Sequence, residues 1–88
     1  MPRFTAIHSV PITEEALITL AKEEAPKFAD RNVTWVRTYC SFDDNKFVCE
    51  WEGPDKETIE GILNDYEIPF DGIYSARIFD VATAQLED

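Results

Sequence analysis

The chain has 88 residues, with eight Lys plus Arg against eighteen Asp plus Glu and a formal net charge of −10. A field of that sign repels nucleic acid and anionic membrane and favours cations, no run approaches membrane-spanning length, and a chain this short predicts a single domain over residues 1–88. Two cysteines are too few for a disulfide scaffold and the opening MPRFTAIHSV lacks the apolar stretch of a signal peptide, so a cytoplasmic protein with reduced thiols is expected.

Arg3 to Val10 alternates as a strand, with Phe4, Ala6, His8 and Val10 on one face and Thr5, Ile7 and Ser9 on the other. Pro11 ends it. Thr13 is a good N-cap, Glu14 and Glu15 suit the first turn of a helix, and Ile12 can staple onto Leu17. Ala16, Leu17, Leu20, Ala21 and Phe28 form the expected buried stripe. Pro26 lacks a backbone donor and biases Ala25 away from helical geometry, so the helix should stop or kink near Glu24, leaving a loop or short turn to Asn32.

Val33 to Phe42 and Lys46 to Gly53 are rich in Val, Trp, Tyr, Phe and Cys and read as a hairpin. A two-residue Asp44-Asn45 turn would oppose Cys40 to Cys49, whereas a bulged turn would slip the register by one residue and put Cys49 on the face of Tyr39; both remain open. Asp55 caps a second helix whose apolar face is Ile59, Ile62, Leu63 and Tyr66, with Gly61 expected to allow a close helix–sheet approach. Ile68 to Gly72 turns into a last strand from Ile73 to about Val81, and the tail from Ala82 to Asp88 is expected to be mobile or to lie along a partner.

The order β-α-β-β-α-β predicts a ferredoxin-like α+β fold, a four-stranded antiparallel sheet with both helices on one face. Fold alone does not assign function. Both sheet faces carry bulk: Trp35 and Tyr39 alternate with Val36, Cys40 and Phe42, and Ile73 and Phe79 alternate with Tyr74 and Ile78. A face so apolar needs a cover, and the same face of a second subunit would supply it, giving a homodimeric α+β barrel.

Candidate donors are few. His8 and Cys49 are the candidate metal ligands, because imidazole and thiolate suit nickel, copper or zinc, although no Cys-x-x-Cys or His-x-x-x-His spacing strengthens the case. Glu50 is a conceivable third donor, but strand alternation sends Cys49 and Glu50 to opposite faces. Trp35, Arg37 and Tyr39 are ligand-pocket candidates for a small apolar molecule. Lys46 to Trp51 superficially matches an RNA-recognition strand, yet it lacks the signature glycine, and Glu50 and Glu52 place negative charge where phosphates would pass.

Three segments carry a wider resemblance: Trp35-Val36-Arg37-Thr38-Tyr39, Cys49-Glu50-Trp51-Glu52-Gly53-Pro54 and Ile68-Pro69-Phe70-Asp71-Gly72-Ile73. With the opening Met-Pro-Arg-Phe, they make the chain similar to a family of small bacterial proteins long treated as a domain of unknown function, whose studied member is described as nickel-binding. The resemblance implies a ferredoxin-like homodimer and nickel as a cofactor, and marks Tyr39, Cys49 and Pro69 as matching positions. Members often have His where this chain has Arg37, and a guanidinium cannot be deprotonated to serve as a ligand.

A small binding protein for nickel or another transition metal, rather than an enzyme, is therefore the first expectation. The rival is a small dimeric α+β barrel enzyme resembling cofactor-free monooxygenases or polyketide cyclases, with an apolar substrate between sheet and helices and His8 as acid or base. A plain interaction or regulatory domain is the third. A buried cavity with one titratable group at its base would favour the enzyme, and a closed core the interaction domain.

Overall fold

A computed structural model describes residues 2–87. The order is β1 (Arg3–His8), α1 (Glu14–Thr19), a π-helical turn (Leu20–Glu24), a 3₁₀ segment (Ala25–Arg31), β2 (Thr34–Ser41), β3 (Lys46–Glu52), α2 (Lys56–Asp65), β4 (Gly72–Ala76) and a small hairpin of β5 (Phe79–Asp80) and β6 (Gln85–Leu86). β1 to β4 form one antiparallel sheet in the spatial order β2-β3-β1-β4, the ferredoxin-like arrangement. Among the described residues no helix is long and apolar enough to cross a membrane.

Alternation in β1 turns Phe4, Ala6 and His8 toward the helices and leaves Arg3, Thr5 and Ile7 half-buried on the open face. Trp51, Ile59, Ile62, Leu63 and Ile73 complete the core. Asp55 caps α2 by accepting from the Thr58 amide at 2.8 Å. The helix ends in a Schellman motif, with Glu67 N–H on the Asn64 carbonyl at 3.0 Å and Ile68 N–H on the Leu63 carbonyl at 2.9 Å. Glu67 takes the left-handed position, φ 56°, where glycine is usual. Gly61 meets the Arg31 guanidinium at 3.7 Å from an added Cβ, an ordinary contact, and not the sheet as expected.

The first helix departs from its reading. Thr13 caps it as expected, accepting from the Ala16 amide at 3.1 Å. Regular geometry ends at Thr19, the π turn follows, and Pro26 sits in the first turn of the 3₁₀ segment. Of the expected stripe only Phe28 is buried; Leu17 and Leu20 are half-buried, and Ala16 and Ala21 are exposed. The stripe does face the sheet, but α1 stands off from it.

The hairpin takes neither expected register. Four residues, Phe42–Asn45, link β2 to β3, with Asn45 at φ 52°; Thr38 lies opposite Cys49 and Cys40 opposite Phe47. Farther along, pairing jumps from Trp35↔Trp51 to Arg37↔Glu50, leaving Val36 as a bulge. Trp35, Thr38 and Cys40 therefore share the helix side, while Arg37 and Tyr39 share the open face. β4 stops at Ala76, so Phe79 does not alternate on the sheet, and the expected tail folds back, with Gln85 and Leu86 pairing with β5. The expectation for Asp88 lies outside the described residues.

Candidate functional site

The gap beneath α1 is a cleft of about 420 Å³. Its floor is the helix side of the sheet, with His8 from β1, Cys49 and Trp51 from β3 and Trp35 from β2. Ala16, Leu17 and Leu20 roof it, and Leu63, Tyr66, Ile68 and Pro69 close the α2 side. Neither Lys nor Arg borders it, and Glu67 is the acidic residue at its margin. The lining is thus overwhelmingly apolar, and the cleft lies within the size range of small-molecule sites.

His8 is the polar centre. The residue is 1% exposed, and its Nδ1 lies 2.8 Å from the Pro69 carbonyl oxygen. A carbonyl only accepts, so Nδ1 carries a proton, and in the neutral imidazole Nε2 keeps its lone pair. That Nε2 is buried without a hydrogen-bond partner, and the same holds for Trp51 Nε1, a pure donor. The Ile68–Asp71 turn is pinned to the end of β1 by the Asp71 amide donating to the Ile7 carbonyl at 2.7 Å, which fixes the Pro69 carbonyl beside the ring.

Cys49 is held by a short relay across the bulge. Trp35 Nε1 donates to Thr38 Oγ1 at 2.8 Å, and the Thr38 hydroxyl donates to Cys49 Sγ at 3.2 Å. Burial pushes the Cys49 thiol up, and the Thr38 hydrogen bond offsets this only in part, so the sulfur keeps its proton near neutral pH. Cys40, exposed at the sheet edge, is likewise a free thiol.

The open face is a different surface. Glu50, barely exposed, receives Arg3 Nη1 at 3.4 Å and Arg37 Nε at 3.5 Å, while Arg3 Nη2 reaches Glu52 at 3.4 Å. Tyr39 and Tyr74 are exposed there at 56% and 52%. Of the residues singled out from sequence, His8, Cys49 and Trp35 meet in the cleft. Arg37, Tyr39 and Glu50 lie on the far side of the sheet, so Trp35, Arg37 and Tyr39 do not share a pocket; the Val36 bulge separates them. Trp51 was overlooked although it alternates in phase with Cys49; the Pro69 carbonyl, a backbone group, had no signal in the side chains.

The nickel-responsive protein SCO4226-like family model matches residues 4–75, which take in the sheet but for Arg3 and Ala76 at its margins, and all walls of the cleft. The chain belongs to that family. The crystal structure of SCO4226 from Streptomyces coelicolor A3(2) has the same fold, with a TM-score of 0.72 at 20% identity over 84% of this chain and 94% of that one. No curated protein matches. The β5–β6 hairpin of this SCO4226-like chain lies beyond the matched span.

Among the described residues the side chains offer no ready-made multidentate nickel centre: no three His, Cys, Asp or Glu gather at one point. His8 is the sole histidine, the Cys49 thiol is held protonated by burial, and the nearest carboxylate on β3, Glu50, faces away and is engaged by two arginines.

Proposed function

We propose that this SCO4226-like protein binds a small, largely apolar molecule in the cleft beneath α1; a cavity with one titratable group, His8, at its base is also the arrangement the enzyme alternative calls for. Residues 1–88 would act as one domain in the cytoplasm, in keeping with two free thiols, and as a homodimer joined through the open sheet faces into an α+β barrel. The observation that carries the reading is an apolar cleft with an uncommitted imidazole nitrogen at its floor. Apolar walls favour a ligand by removing its surface from water, and one buried nitrogen orients it. N-phenyl-1-naphthylamine, a neutral dye bright only in apolar surroundings, should show saturable 1:1 fluorescence with the native protein and none with Ala16→Trp, which fills the roof side. Equal dye binding in both proteins, or none in either, overturns the reading.

The family's name supports a second occupant, Ni²⁺ on His8 Nε2 and Cys49 Sγ. Two chain donors leave the remaining positions to other groups, and loading must expel the Cys49 proton against its burial, which ranks this reading second. Calorimetry of Ni²⁺ on tag-free protein decides it. A cleft site predicts heat that His8→Ala and Cys49→Ser each abolish. Heat unchanged in both variants and competed by Mg²⁺ assigns the ion to surface carboxylates instead.

A further inference from the structure

The floor of the cleft has a polar pattern as well as an apolar one. His8 pairs with Phe47, Ala6 with Cys49 and Phe4 with Trp51, so His8, Cys49 and Trp51 step diagonally along the helix side of the sheet. From Phe47 to Trp51 the strand advances roughly 13 Å at about 3.3 Å per residue, which places His8 and Trp51 toward opposite ends of the floor. One end offers a lone pair, His8 Nε2, and the other a donor, Trp51 Nε1–H, both without a protein partner. Between them the Cys49 sulfur accepts from Thr38, which leaves its own S–H uncommitted.

Buried polar atoms left unpaired are rare because they forfeit their hydration without replacement. Two of them belong to residues that line one cleft, and Phe28, Trp35 and Tyr66 add further aromatic side chains to its lining. No Lys or Arg borders the cleft, so a carboxylate or phosphate would be buried without a counter-charge, in a molecule whose overall charge is already −10. We propose that the ligand is a neutral, flat aromatic molecule bearing a hydroxyl group, the hydroxyl donating to His8 Nε2 and an oxygen acceptor farther along the molecule meeting Trp51 Nε1–H. Both nitrogens are buried, so the ligand reaches them by displacing neighbouring side chains. The roof can yield: α1 has no buried residue and runs directly into the irregular π turn.

This class rests on the cleft being the ligand site, and the test separates the two. Tag-free native protein is titrated with 2-naphthol, naphthalene and 2-naphthoate, followed by amide chemical shifts and by the ¹⁵N shift of His8 Nε2. The proposal expects 2-naphthol to bind about tenfold tighter than naphthalene, the value of one net hydrogen bond, with 2-naphthoate weakest and the His8 Nε2 resonance moved only by the hydroxyl compound. His8→Leu should bring 2-naphthol down to the level of naphthalene. The native series decides the matter if that variant fails to fold, and Trp51→Phe should then leave the tenfold preference in place while weakening only ligands with a distal carbonyl, such as 6-hydroxy-1-tetralone. Naphthalene and 2-naphthol binding within twofold of each other overturns the hydroxyl class while leaving the cleft as the site. Tightest binding of 2-naphthoate overturns neutrality. No shift at any cleft residue with any of the three overturns both.

Discussion

Cys40 and Cys49 are the same residue type in opposite surroundings, one at the open sheet edge and one beneath the relay from Trp35 and Thr38. Ellman's reagent should therefore titrate one thiol at once, absent in Cys40→Ser, and a second only at the rate of opening. The raised Cys49 pKa also sets a pH dependence. Its contribution to stability is fully present below the ordinary thiol value of about 8.5 and is lost as pH rises toward the folded value, because the unfolded chain gives up the proton first. Urea unfolding from pH 7 to 10 should show native stability falling above about pH 8.5 relative to Cys49→Ala. Parallel curves would place the thiol outside the core. His8 illustrates the limit of single-residue reading. Its place on β1's inward face follows from alternation, whereas the carbonyl that fixes its tautomer arrives from Pro69, sixty-one residues away in the chain.

At the level of elements, what could be read was whatever period encodes. Phe4, Ala6 and His8 at every second position, and Ile59, Ile62 and Leu63 at helical spacing, sit where their pattern places them. Pattern says which way a side chain faces, not whether anything meets it. Leu17 and Leu20 point toward the sheet and find a cleft; an apolar site there with His8 was one alternative read from sequence, but periodicity does not decide between a cleft and a closed core. The Val36 bulge was hidden, since one extra residue alters pairing without altering composition. Gly61 gives an element-scale prediction. An added methyl meets only the Arg31 guanidinium at 3.7 Å, and alanine is the better helix former by about 1 kcal/mol, so Gly61→Ala should raise Tm by about 4–8 °C. A lower Tm would mean that α2 cannot accept even that contact.

For the whole molecule the decisive surface is the open face. Tyr39 and Tyr74 flank an ion-pair network in which Arg3 and Arg37 converge on Glu50, a mixture of apolar contact and charge suited to a self-complementary interface. Light scattering should return twice the 10.1 kDa of one chain, and Tyr39→Asp should shift the protein toward monomer. A monomer at every micromolar concentration tested would leave both tyrosines in water. β2 contributes Trp35 to the cleft and Arg37 and Tyr39 to the open face, and the bulge changes the phase between the two stretches. In β2 the inward positions are odd before Val36 and even after it: Trp35, then Thr38 and Cys40. A substitution scan along β2 should therefore reverse parity at that point. Losing the single residue Val36 would restore plain alternation and leave the Trp35 indole inward, whereas straightening the strand with Val36 retained would act as a frameshift of side chains, turning Trp35 outward and breaking its hold on Thr38.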